Sequence, residues 1–277
     1  MAIELAPKNK QGLSLHSPLI AGSGAVGFGD AWPPGLRPEL FGALVTAPLT
    51  LHPARGKAPP RLAEVPGGFL LATGDHNPGY RRVLRDNVPD WKRLGVPVIV
   101  ALAGSAPADW PRLAEHLEEA GIAAGLELAV PGNATRAEAS AWVNAVRHAS
   151  TLPQLARVQV AEAEMLASAC VEAGADALVI GTPPLAMAPA AGEVTGAGDV
   201  AWVEAPLHGP GAFPFTLRAL RAVEALGLGV PLVASGGIQC AEDARRCLEM
   251  GAVAVQVRSL LWTDPAAVLA LARALAS

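Results

Sequence analysis

"VASGGIQCAEDARRCLEMGAVAVQVRSLLW", residues 233–262, decides how this chain folds. An apolar run breaks at Gly236-Gly237. A charged segment follows and stops at Gly251, and a second apolar run, 252–257, breaks at Arg258-Ser259. Short runs rich in Val and Ala, with little in/out alternation, fit strands buried on both faces of a parallel sheet. The charged segment between them has the amphipathic pattern of a crossover helix. The stretch therefore reads strand–helix–strand, with two glycines, an arginine and a serine at the strand ends.

The same rhythm extends through the chain. Candidate strands are "PLIAG" (18–22), "ALVTA" (43–47), "VPVIVALA" (96–103), "GLELAV" (125–130), "LARVQV" (155–160), "DALVIG" (176–181), "VPLVAS" (230–235) and "AVAVQV" (252–257). Helices are expected over 106–121, 163–174, 240–251 and 264–276, the last opened by Asp264-Pro265. Eight strand–helix units in 277 residues favour a single closed (β/α)8 barrel over residues 1–277. An open doubly wound sheet is the alternative. Two long non-helical stretches, 48–79 and 182–212, read as loops at the C-terminal face of the barrel, where active sites sit.

Composition sets the bounds. Half the residues are hydrophobic (51%), and the net charge of −4 gives no reason to expect nucleic acid or an anionic membrane as partner. No apolar run is long enough to span a bilayer, and the first ten residues lack a signal-peptide pattern, so a cytoplasmic location is expected. Cys170, Cys240 and Cys247 have no metal-ligand spacing, and no metal is expected. Lysine is scarce: Lys8, Lys10, Lys57 and Lys92 are the only four.

Barrels commonly bind phosphate between the loops after strands seven and eight, through main-chain N–H groups that glycine leaves accessible. Gly236 and Gly237 follow strand seven; Arg258 and Ser259 follow strand eight. An arginine can pair with phosphate through two parallel hydrogen bonds. The composing residues thus predict a phosphate-bearing ligand at this rim.

The chain also resembles the dihydroorotate dehydrogenase family, in particular its soluble class, from about residue 13 to 262. The resemblance rests on "SPLIAGSGAVGFG" (17–29), "FGALVTAPLTLHPARGKAPPRLAEVPGGFLLATGDHNPG" (41–79) and "EAGADALVIGT" (172–182). "LHGPGAFPFTLRAL" (207–220), Ser235–Ile238 followed by Glu242-Asp243-Ala244, and "GAVAVQV" (251–257) complete it. It implies an FMN-dependent barrel oxidoreductase of pyrimidine biosynthesis, oxidising dihydroorotate to orotate, and a homo-oligomer, commonly a dimer. Expected cofactor contacts are Ala21, Gly22, Ser23, Thr46, Gln159, Thr182, Gly209, Gly236, Gly237, Arg258 and Ser259. Asn77 and His208 are the expected substrate contacts.

The departures from the family pattern bear on chemistry. Ala47 stands in place of a lysine near flavin and substrate. Leu71, Ala101 and Ala129 replace asparagines, as does Gly181, and Gln159 stands where a flavin-contacting lysine is expected. His208 replaces a serine, and Arg258 replaces a glycine, which reads two ways: its charge strengthens anion binding, or its side chain fills room that a flavin needs. The shortened segment 131–142 contains no cysteine to act as base, leaving only Thr135 and Ser140 as hydroxyls; a helix cap and a solvated helix residue are their simpler readings. A positioned base contributes about 10²–10⁴ in rate, so no catalytic residue is assigned. Glu127 reads as a buried acid with an arginine partner. FMN-dependent oxidation with altered or lost substrate chemistry is the first functional reading. A non-catalytic barrel that binds phosphate or flavin, or serves as a partner subunit, is the second. A flavin-free enzyme acting on a phosphorylated metabolite is the third.

Overall fold

The computed structural model describes residues 2–104, 108–194 and 200–276. A short antiparallel ribbon of β1 (Ile3–Glu4) and β2 (Ser14–Leu15) precedes the first barrel strand, β3 (Leu19–Ala21). The chain then runs through β4 (Ala43–Val45), an excursion carrying β5 (Leu62–Val65) and β6 (Gly68–Leu71), and the helices α1 (Tyr80–Asp86) and α2 (Val88–Trp91). Next come β7 (Val98–Leu102), α3 (Asp109–Ala120), β8 (Gly125–Ala129), α4 (Arg136–Ala149), β9 (Gln154–Gln159), α5 (Ala163–Glu172) and β10 (Ala177–Thr182). A second excursion carries β11 (Leu185–Val194) and β12 (Val200–His208). The chain ends with α6 (Phe213–Glu224), β13 (Leu232–Ser235), α7 (Ala241–Glu249), β14 (Ala252–Val257), α8 (Ser259–Thr263) and α9 (Pro265–Ala276).

The strands β3, β4, β7, β8, β9, β10, β13 and β14 close into an eight-stranded parallel barrel, with β14 pairing back onto β3 through Val257 and Ala21. This is the (β/α)8 barrel expected from the repeat, and the open sheet is excluded. All eight expected strands are present. Residues 106 and 107, at the start of the helix expected over 106–121, lie outside the described residues, as do 195–199 within the stretch 182–212. Between β3 and β4 the connection holds only a 3-10 turn, Pro38–Leu40, rather than an α-helix.

Two packing layers hold the barrel. Helices cover its outside through Leu113, Leu117, Val143, Leu166, Leu220 and Val268, all 1% exposed or less. Inside, Ile20, Val45, Ile99, Leu155, Val179 and Val233 form an apolar lower layer, and Leu5, Leu13 and Leu15 of the N-terminal ribbon plug its base. Residues two positions further along several of these strands face inward one layer higher, because strand side chains alternate. That upper layer is polar, and it carries the site.

The stretches read as loops are built differently from that expectation. β5, β6, β11 and β12 form a four-stranded antiparallel sheet in the order β11-β12-β6-β5. Ala63, Ala188, Ala190, Ala201 and Ala205 pack with Leu70 and Val203 inside it, and their small side chains let the strands approach closely. His208 and Phe69 pair across β12 and β6, which ties this cap to the barrel mouth. Among the described residues, no helix is long and apolar enough to cross a membrane.

Candidate functional site

Glu127 of β8, Arg157 of β9 and Gln256 of β14 form a closed ring across the upper barrel interior. Arg157 Nε donates to Glu127 Oε1 at 2.8 Å, and Arg157 Nη2 donates to Gln256 Oε1 at 2.7 Å. Gln256 Nε2 donates to Glu127 Oε2 at 2.7 Å. All three residues are buried. Burying a charge is costly unless it is paired and hydrogen-bonded, and the ring meets that condition for both ions. Arg157 was not among the expected contacts. It lies two residues before Gln159 on the same strand, so both share one face; only tertiary pairing shows which of them occupies the centre. Glu127 has the arginine partner its sequence context suggested.

Arg157 and Gln256 border a cleft at the barrel's C-terminal end. Ser23, His208, Gly209, Gly236, Gly237, Arg258 and Ser259 border it too. Seven of the expected contact residues are therefore brought together. Gly181, Ser235 and Ile238 complete the wall on the side of strands six and seven. Among the described residues, the N–H groups of Gly236, Gly237 and Ile238 make no hydrogen bond. Consecutive unpaired main-chain donors on a glycine turn are suited to an anionic oxygen.

These glycines also have internal reasons to be glycine. A methyl group on Gly237, where φ is +76°, would lie 2.2 Å from Phe213 N. One on Gly181 would fall 1.4 Å from Ser235 O. No asparagine can stand at 181 in this backbone, where strands β10 and β13 meet closely.

Arg258 is the second cation of the cleft. Its Nε is shielded from solvent and has no hydrogen-bond partner among the described residues. Its guanidinium lies over Trp262, 5.2 Å from the ring centroid, and Trp262 is fixed by donating Nε1–H to Ala25 O at 2.8 Å. Burial, with the neighbouring Arg157 charge, lowers Arg258 to about 10, which leaves it charged at neutral pH. His208 is buried and packs on Phe69 with ring centroids 5.5 Å apart. Burial and the charges of Arg258 and Arg157 push it down to about 3. It is a neutral imidazole here, able to donate or accept one hydrogen bond, and a weak base.

Other expected residues sit outside this lining. Ala21 is buried at the end of β3, and Gly22 donates its N–H to Val257 O at 2.8 Å. Thr46 is fully buried and its hydroxyl is occupied: it donates to Ala47 O at 2.9 Å and accepts from Ala101 N at 3.1 Å. Gln159 lies against the shortened loop, where a methyl on Gly132 would meet its amide carbon at 2.1 Å. Thr182 ends β10. Asn77 is buried, accepting from Thr50 Oγ1 and Gly79 N at 2.9 Å and donating to Asp75 O at 2.6 Å. Asp75 and His76 do not pair with each other, and the His76 ring contacts Arg55 O at 3.0 Å. Thr135 caps α4 in a reciprocal capping box with Glu138.

A closed (β/α)8 barrel with an anion-receptive cleft at its C-terminal rim is the class that fold and geometry define. Residues 6–151 match the family described as Dihydroorotate dehydrogenase. A protein of Desulforudis audaxviator named the catalytic subunit of dihydroorotate dehydrogenase B (NAD(+)) is 34% identical, over 94% of this chain and 88% of its own length. Its namesakes from Pelobacter propionicus and Geobacillus kaustophilus are 33% and 30% identical, covering 94% and 96% of this chain and 88% and 86% of their own. In fold, the chain is similar to the crystal structure of DHODH in complex with ferulenol from Eimeria tenella, with a TM-score of 0.76 over 99% of this chain and 83% of that one, at 15% identity. The chain belongs to the dihydroorotate dehydrogenase family.

Proposed function

We propose that the chain is an FMN-binding oxidoreductase whose substrate chemistry departs from dihydroorotate oxidation. The observation that carries the proposal is the cradle of unpaired N–H groups at Gly236, Gly237 and Ile238, set beside two arginines in one cleft, Arg157 buried and Arg258 half-buried. The residues fit the cofactor. Gly209, Gly236, Gly237 and Ser259 would hold its phosphate, and Ser23, Gln256 and Arg157 would line the space for its ring system. When bound, FMN supplies an acceptor for hydride. Arg157, ion-paired with Glu127, is held in a fixed orientation that needs no reorganisation during reaction.

The proton side of the chemistry lacks an evident side chain. Thr135 is occupied in its cap, His208 is a weak base, and Cys170 and Cys247 are buried in α5 and α7, away from the cleft lining. This supports a substrate that does not need a side-chain base from the segment 131–142. It equally supports the second reading, a flavin-binding homologue that turns nothing over. Self-association belongs to the proposal as well: Leu185, Met187, Val200 and Trp202 form an exposed apolar row on the outer face of β11–β12.

The test is direct. The purified chain is expected to be yellow or to become so with added FMN, and heat should release a flavin of FMN mass. A colourless chain that takes up no FMN removes the proposal. Bleaching by a reductant that yields a defined oxidised product supports the oxidoreductase reading, whereas FMN that binds and no substrate reduces supports the homologue reading.

A further inference from the structure

The cleft is lined by two arginines with different electrostatic standing, Arg157 buried and Arg258 half-buried. Arg157 is balanced: Glu127 and Gln256 take up its donors within the ring. Arg258 has no ion pair or hydrogen bond among the described residues, and its Nε is buried and orphaned. His208 adds no charge at neutral pH. Asp75, on the β6–α1 loop at φ +53°, acts on Arg258 only through space, with no ion pair or hydrogen bond between them among the described residues. Arg258 is therefore the cleft cation that lacks a direct partner among the described residues.

Its position is also built. Trp262 carries the guanidinium on its face and is itself anchored to Ala25. Gly24 and Ala47, in the turns after β3 and β4, lie beside it: a methyl on Gly24 would be in ordinary contact with Arg258 Nη2 at 3.7 Å and with Ala47 Cα at 3.5 Å. The side chain thus leaves strand eight with Nη2 beside the turn that follows strand one, in the cleft it shares with the glycine turn on strand seven. A charged group with a donor withdrawn from water and left unpartnered is unfavourable unless something bound supplies the partner.

We propose that Arg258 is a specificity-determining residue that stabilises negative charge on the bound ligand at the side of the cleft facing Gly24 and Ala47, separate from the phosphate cradle. The inference rests on FMN being the resident ligand. It makes Arg258 favour the more negatively charged state of that ligand, so the potential of bound FMN reports it.

The experiment uses the full chain loaded with FMN, as wild type, Arg258→Gln, Arg258→Lys and the double variant Arg258→Gln/Ala47→Lys. Affinity for FMN in both redox states, the midpoint potential and the melting temperature of the apo chain are measured. Arg258→Gln is expected to lower the ratio of reduced to oxidised binding at least tenfold, which is about 30 mV for two electrons. Arg258→Lys and the double variant should recover most of it, because each returns a cation to the same space. The apo Arg258→Gln chain should melt no lower than wild type, since an uncompensated charge has been removed. A potential shift under threefold, or an Arg258→Gln chain that is less stable or unfolded without FMN, overturns the inference and shows Arg258 to be a packing residue. Loss of FMN from Arg258→Gln supports it if the double variant regains binding and overturns it if not. A wild-type chain that binds no FMN overturns the reading under Proposed function, and this inference with it.

Discussion

Arg157 and Glu127 sit on adjacent barrel strands with Arg157 Nη2 2.7 Å from Glu127 Oε1, both buried in the barrel interior. Removing one partner leaves the other charge without compensation. Glu127→Ala is expected to cost about 3–5 kcal/mol of stability, read as a shift of the urea midpoint. The paired replacement Glu127→Leu/Arg157→Met removes both charges and should recover most of that loss, while leaving Gln256 with an unmet amide. A double variant no more stable than the single one would show that the ring contributes beyond charge balance.

Gly181 and Gly237 connect packing to the cleft. Gly181→Ala places a methyl group inside the contact distance of Ser235 O, and Gly237→Ala does so at Phe213 N. Both neighbours are backbone and cannot yield by rotating a side chain. Each substitution is expected to destabilise the chain by more than the ~1 kcal/mol typical of a point change, and to weaken FMN binding because the strand-seven turn must move. Thermal melts and FMN titrations of each variant check this; a Gly237→Ala chain with unchanged affinity would remove the strand-seven turn from the phosphate contact.

The barrel was legible because its strands are buried on both faces and its helices alternate with them at nearly fixed spacing. The rim of the cleft was legible for a similar reason: glycine pairs and polar residues at strand ends are local signals. The central arginine was not. Arg157 and Gln159 face the same way, and Gly132 and Gln256, far off in sequence, decide which of them occupies the ring. The cap was missed because its pattern is inverted. In β11 and β12 the inward positions are mostly alanine and the outward ones include Leu185, Met187 and Trp202, so the usual apolar-in alternation points the wrong way. Thr46 and Asn77 carry plausible site chemistry in sequence, yet their polar atoms are occupied within their own loops and strands.

The three cysteines should differ sharply in reactivity. Burial pushes the Cys170 thiol up to about 12, and burial together with Asp243 does the same for Cys247. Cys240 is exposed at the N-cap of α7. The thiolate is the reactive form, so the native chain should release one equivalent of thionitrobenzoate quickly and the denatured chain three. Fast reaction of two or more thiols in the native chain would mean that α5 or α7 opens readily.

His208 gives the fold a defined acid sensitivity. Its native value of about 3 lies below the ordinary 6.5, with burial the largest cause and Arg258 and Arg157 adding repulsion. Between those values the unfolded chain binds a proton at this position and the native chain does not. Stability from this group is therefore complete above about pH 6.5 and falls as the pH drops toward 3. From pH 6.5 to 5 the loss from this residue is about 2 kcal/mol at 1.36 kcal/mol per unit. His208→Gln removes the titration while keeping a polar side chain against Phe69. Urea midpoints measured at pH 7 and pH 5 should fall by more in wild type than in His208→Gln, the difference being the histidine's contribution. Equal falls would show that His208 is protonated in the native chain near neutrality, which would place a second positive charge beside Arg258 and strengthen the cleft's demand for an anion.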